Sequence, residues 1–262
     1  MNGLLRSLRL LVLRAWLPIG IVVAWWLVSA TSTSFYFPPL QEIFLEIWNQ
    51  WILGPRLVSD LLPSLADFAI GFFTAILLGT VIGVLIGRSA IGQATVAPII
   101  NFFRALPSPA LVPIMLALFG IGPNMNIAVI VVGAIWPTLL NTVDGVRALD
   151  TQVREVTRSY RLTRWQTVSQ VVLPSAAPQI FAGYRISLQI AIILIVVSEM
   201  VGATHGLGYQ VIESQQLFRV TQTWAGTIIL GVLGYLLTSA FLLVERRVLA
   251  WHVRMRIATG AG

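Results

Sequence analysis

EVTRSYRLTRWQTVSQVVLP, residues 155–174, is the polar interruption in an otherwise apolar chain, and its reading decides what the apolar parts are. Arg154, Arg158, Arg161, Trp165 and Val168 recur at steps of three and four. On a helix they share one broad face, with charge at one end and apolar bulk at the other. A surface helix of that kind docks into a groove of a partner. The expectation is a short amphipathic helix between membrane spans, serving as a handle for a soluble partner.

Composition bounds the rest. Hydrophobic residues make up 57% of the chain and charged residues 10%, with a mean hydropathy of +0.85, whereas soluble domains carry about a quarter charged residues. The chain therefore reads as an all-α integral membrane protein. Within 262 residues, about six spans of ~20 residues use roughly half the length and leave short loops, with no room for a soluble catalytic domain. Residues 1–262 are expected to form a single transmembrane domain, with its core over 61–245 and a loop over about 144–174. The absence of Cys excludes disulfides, thiolate catalysis and Cys-ligated metals. His205 and His252 lie too far apart to suggest a metal pair, so neither a catalytic nor a metal residue is expected in this chain.

The apolar runs fall at residues 11–30, 61–87, 96–119, 124–142, 179–201 and 224–244. Phe37-Pro38-Pro39 opens a further amphipathic helix on the surface, because Pro fits the first turn of a helix. Gly71, Gly79, Gly83 and Gly87 form a stripe of small residues that lets helices approach closely. All 17 basic residues are Arg. Thirteen of them gather on one side if the N-terminus, the Arg88 turn, the loop 144–174 and the C-terminal tail share that side: Arg6, Arg9, Arg14, Arg88, Arg147, Arg154, Arg158, Arg161, Arg164, Arg246, Arg247, Arg254 and Arg256. The opposite loops hold Arg56 and Arg219. The excess of positive charge places both termini and the polar helix in the cytoplasm. Membrane orientation accounts for the net charge of +7 better than nucleic-acid binding does.

The polar stretch resembles the EAA loop of bacterial ABC importer permeases. In that loop Glu-Ala-Ala is followed after three residues by Gly and after nine more by Ile-x-Leu-Pro; here Glu155-Val156-Thr157 is followed at the same spacing by Arg161 and by Val171-Val172-Leu173-Pro174. Because Arg stands where Gly would permit a sharp turn, Arg161 is expected to continue the helix. The chain is similar to the nitrate, sulfonate, taurine and bicarbonate branch of these permeases over nearly its whole length. The likeness rests on FRALPSPALVPIMLALFGIGP (103–123), NTVDGVRALD (141–150), SEMVGATHGLGYQV (198–211) and VERRVLAWH (244–252) in that order.

The resemblance implies a type I ABC importer-like permease in the bacterial inner membrane, working as a homodimer. It further implies two cytoplasmic ABC ATPase subunits that bind ATP-Mg, and a substrate-binding protein on the outer face. No Gly-rich GK[ST] loop appears in the chain, so ATP phosphates must be held by a partner. The residues expected to meet the ATPase are Glu155, Arg158, Tyr160, Arg161, Leu162 and Trp165, with Leu173 and Pro174 marking the turn into the fifth span. Small anions are the implied solutes, and neutral or aromatic vitamin precursors the alternative. An ATP-independent channel or carrier is the competing class, and it would move solute without partners.

Polar groups at membrane depth are costly and mark functional positions. Arg185, Gln189 and Glu199 fall within roughly 40° of one line on a helix and could line the path together. Alternatively Arg185 meets lipid headgroups, and Glu199 braces the Gly-rich loop that follows it. Arg104 precedes Pro107, Pro109 and Pro113, which should break the third span and expose backbone polar groups. Arg104 is the fourth path candidate, with an ion pair or snorkelling to the interface as its alternatives.

Overall fold

Five of the six apolar runs form long helices. A computed structural model describes residues 2–89, 98, 100, 102, 103 and 105–252, apart from the side chains of 2–15, 151, 154, 156 and 158. Among the described residues there is no strand. The helices are α1 (Asn2–Ser29), α2 (Leu40–Glu46, prolonged by a wider turn over Ile47–Ile52), α3 (Leu57–Gly87) and α4 (Ser108–Phe119). They continue with α5 (Pro123–Arg147), α6 (Thr151–Ser159), α7 (Arg164–Gly202), α8 (Leu207–Gln216) and α9 (Val220–Val248).

α3, α5, α7 and α9 are each long and apolar enough to cross a bilayer; even 25 residues at 1.5 Å each exceed a hydrocarbon core of about 30 Å. α1 has 28 residues. The third expected span is broken, as its prolines require: a bend at Leu106-Pro107 precedes a 3-10 turn over Ser108–Leu111 and the short helix that follows. Proline acts differently before Pro63 and Pro174. There the helix runs on through a π-type turn, Leu57–Leu61 and Thr167–Val172 respectively, which accommodates the missing N–H. Leu173-Pro174 was expected to end one helix and open another, yet α7 is continuous from Arg164 to Gly202.

The glycine stripe sets the register of the core. Gly71, Gly79, Gly83 and Gly87 of α3 face Ile130, Thr138, Thr142 and Val146 of α5, where an added Cβ would stand 2.8, 2.8, 2.6 and 3.0 Å away. The offset is constant along both helices, so α3 and α5 run parallel. Asn126, which donates to Asp67 Oδ2 at 3.0 Å, keeps the same offset. α7 packs antiparallel to α5, with Gly183 against Asn141 and Gly202 against Met125. The buried core, including Phe68, Phe72, Met125, Ile130, Leu188 and Leu194, lies where these three helices meet.

These directions sort the connections into two ends. One end holds Arg88, Arg147, α6, the start of α7 and the end of α9. The other holds α2, the 202–206 loop, α8 and the start of α9, where Trp224 packs on Trp25 and donates to the Tyr36 carbonyl. Arg56 and Arg219 lie at that second end. No residue in the most apolar stretch of α9 is fully buried by the rest of the chain, although Leu237 and Phe241 pack on the core, so this helix presents much of its surface to lipid or to another protein.

Candidate functional site

At the arginine-rich end, the stretch read as one amphipathic helix is two helices joined by a tight turn. α6 ends at Ser159, and Arg161 adopts φ +49°. The Leu162 amide donates to the Thr157 carbonyl at 3.2 Å, the six-to-one bond of a Schellman cap. Arg161 therefore does not continue the helix. It takes the left-handed conformation that a glycine would take there, held by the cap and by the restart of helix just beyond. The restart is a capping box: the Thr163 hydroxyl accepts from the Gln166 amide at 3.2 Å, and the Gln166 side-chain oxygen accepts from the Thr163 amide at 2.9 Å. Thr-x-x-Gln was legible in the sequence, and it predicts a helix start at this place.

The break separates Arg154 and Arg158 from Trp165 and Val168, so the single face expected for them does not exist. The turn instead projects Tyr160 and Trp165, each 77% exposed, and Glu155 is exposed beside them. The side chain of Arg158 lies outside the described residues. Leu162, Arg161 and Arg164 border a concavity of about 710 Å³ together with Arg88, Val146 and Leu149. The beginning of α7 is rooted in the bundle, since Val172 and Ala176 are buried with Val84 and Val146, and Leu173 packs against them. Pro174 is exposed in the first turn after the π-type segment. The helix that follows the Tyr160–Trp165 turn is thus packed against α3 and α5 through these side chains.

The described path candidates meet different surroundings along α7. Arg185 makes a two-pronged ion pair with Glu245 of α9, at 2.6 and 3.3 Å, a third role beside path lining and headgroup contact. Gln189 is exposed on α7. Glu199 is buried at the far end of α7, accepting from Ser64 Oγ at 2.5 Å and from the Gly208 amide at 2.8 Å. Its place is that of the loop brace. Arg104 lies outside the described residues. Glu245, Ser64 and the Asp67–Asn126 pair were not anticipated, and of these only the acidic residue in VERRVL stood out in the sequence. At the same end as Glu199, Tyr209 donates to Glu213 at 3.2 Å, and that carboxylate's charge raises the phenol above its ordinary pKa.

Beside the broken third span lies a cleft of about 340 Å³ bordered by Ser108, Trp136, Asn141, Asp144, Ile190 and Phe103. Phe103 and Trp136 stack with centroids 5.1 Å apart. Pro137 stands within α5 and has no N–H for the Gly133 carbonyl, which also borders the cleft. Asn141 bonds the Pro137 carbonyl at 2.8 Å and Gln179 of α7 at 3.0 Å. The cleft thus combines an aromatic wall with the polar side chains of Ser108, Asn141 and Asp144.

The family described as the binding-protein-dependent transport system inner membrane component matches residues 75–250. The chain is 33% identical to a putative aliphatic sulfonates transport permease protein of Bacillus subtilis, over 90% of this chain and 86% of that one. It is 29% identical to the taurine transport system permease protein of Escherichia coli, over 88% and 86% of the two chains. Among solved structures it resembles inward-facing conformations of the MetNI methionine ABC transporter, with a TM-score of 0.62 and 26% identity over 76% of this chain and 97% of that chain.

Proposed function

The chain belongs to the family of binding-protein-dependent transport system inner membrane components, and from that premise we propose how it works as the permease subunit of an ABC importer. Two copies form the path, and two separate ATPase subunits dock on the Tyr160–Trp165 turn at the arginine-rich end. That end faces the cytoplasm, as does each terminus, because positive charge is retained on that side. A binding protein delivers solute at the opposite end.

The observation that carries this reading is the turn itself. Two large aromatic side chains stand exposed on a capped turn whose following helix is anchored in the core. Exposed aromatics of this kind are the usual anchors of an interface. ATP-Mg is held entirely by the partner, and closure of the ATPase pair moves α6 and the start of α7. Glu155, Arg158, Tyr160, Arg161, Leu162 and Trp165 form the contact, while Leu173 and Pro174 link it to the span.

The solute is a small anion of the sulfonate and taurine class, a reading supported by the names of the relatives. A second reading, a neutral or aromatic solute, is favoured by the Phe103–Trp136 wall of the cleft. Titrating the cognate binding protein with taurine, alkanesulfonates and aromatic heterocycles separates the two. The transport reading is tested by reconstituting the chain in liposomes with and without ATPase and binding protein. Uptake is expected only with all components and ATP, and solute movement by the chain alone would contradict it.

A further inference from the structure

The start of α8 is capped by side chains of other helices. The first N–H groups of a helix have no partner within it, and Gly206, at the N-cap with φ +115°, offers no side chain. The partners come from α3 and α7. The Leu207 amide donates to Ser64 Oγ at 2.9 Å, the Gly208 amide to Glu199 Oε2 at 2.8 Å, and the Gly206 amide to Asp60 Oδ1 at 3.2 Å. Ser64 Oγ also lies 2.5 Å from Glu199 Oε1 and 2.9 Å from the Asp60 carbonyl. Ser64 is 3% and Glu199 2% exposed. The approach is close enough to demand glycine: a Cβ on Gly206 would stand 2.6 Å from the Glu199 carboxyl, and one on Gly208 would strike the Val196 carbonyl.

We propose that Glu199, with Ser64 and Asp60, is the positioning residue of the mouth at the α8 end. It ties α8 to the ends of α3 and α7 so that the three move as one body when the path opens and closes. This rests on the transport reading above. Glu199 acts through its acceptor oxygens, which hold the Ser64 hydroxyl and the Gly208 amide. Glutamine can replace it, because the amide oxygen still accepts from Gly208 while the amide nitrogen donates to Ser64 Oγ, whose hydrogen then turns to the Asp60 carbonyl. Leucine of similar size leaves the Gly208 amide buried and unpaired.

The experiment compares wild type, Glu199→Gln and Glu199→Leu in the complete complex in liposomes. Uptake by Glu199→Gln is expected within about twofold of wild type, while Glu199→Leu loses roughly tenfold or more with ATP hydrolysis continuing, the scale of one unsatisfied buried donor. Hydrogen exchange at the amides of residues 206–208 is expected to be slow in wild type both without nucleotide and with ATP bound, and fast in Glu199→Leu. The proposal is overturned if Glu199→Gln fails as badly as Glu199→Leu, if Glu199→Leu transports normally, or if ATP binding exposes these amides in wild type. Should Glu199→Leu not assemble, Ser64→Ala decides: faster exchange at Leu207 with reduced uptake supports the cap, and unchanged exchange overturns it. Absence of ATP-dependent uptake by the wild-type complex would count against the transport reading, whereas the ranking of the variants bears on the cap alone.

Discussion

The Leu162 amide reaches back 3.2 Å to the Thr157 carbonyl, closing a cap in which Arg161 occupies the left-handed region at φ +49°. A non-glycine residue in that conformation costs about 1–2 kcal/mol. Arg161→Gly should therefore raise the stability of the turn by about 1 kcal/mol, while the branched side chain of Arg161→Val should distort the turn and lower coupling further than Arg161→Gly does. Thermal melting of the purified chain and the ratio of ATP hydrolysed to solute moved would read both effects. Equal behaviour of the two variants would show that the turn does not need this geometry.

Gly83 of α3 sits where any side chain would meet Thr142 of α5, with an added Cβ 2.6 Å away. Gly83→Leu is expected to destabilise the bundle by about 1–3 kcal/mol through overpacking, read as a lower melting temperature. Gly231→Leu on α9, where nothing lies within 4 Å, should leave the isolated subunit's melting unchanged.

Arg185 and Glu245 clamp α7 to α9 through two hydrogen bonds. The arginine side chain is 48% exposed and the glutamate 11%, so losing one partner should cost about 1–3 kcal/mol, below the range for a fully enclosed pair. Arg185→Glu alone should reduce assembly. The exchange Arg185→Glu with Glu245→Arg should recover much of it. No recovery in the double variant would mean that Arg185 acts on something other than Glu245.

The long helices were legible because a span needs about 20 apolar residues and little else, and the glycine stripe marked a close helix contact through its spacing, though not that α5 is the partner. The break before α4 followed from three prolines. Arg161 was misread because helix propensity favours continuation at an arginine, while the capping box at Thr163 and Gln166 overrides that preference. The Arg185–Glu245 and Glu199–Ser64 contacts join residues 60 and 135 positions apart, and nothing local in a single sequence encodes which distant partner a polar residue meets. Periodicity put Arg185, Gln189 and Glu199 on one line, yet α9, lipid or partner, and α8 divide that line among them.

The central claim is that the Tyr160–Trp165 turn receives the ATPase. Because the chain contains no Cys, Trp165→Cys gives a single reactive thiol in an unaltered background. In the complete complex within sealed inside-out vesicles, a short cysteine-reactive cross-linker should join position 165 to the ATPase subunit, and the yield should change when ATP binds. Labelling of that thiol by an impermeant reagent applied to the outside of intact cells, with no cross-link to the ATPase, would contradict the claim.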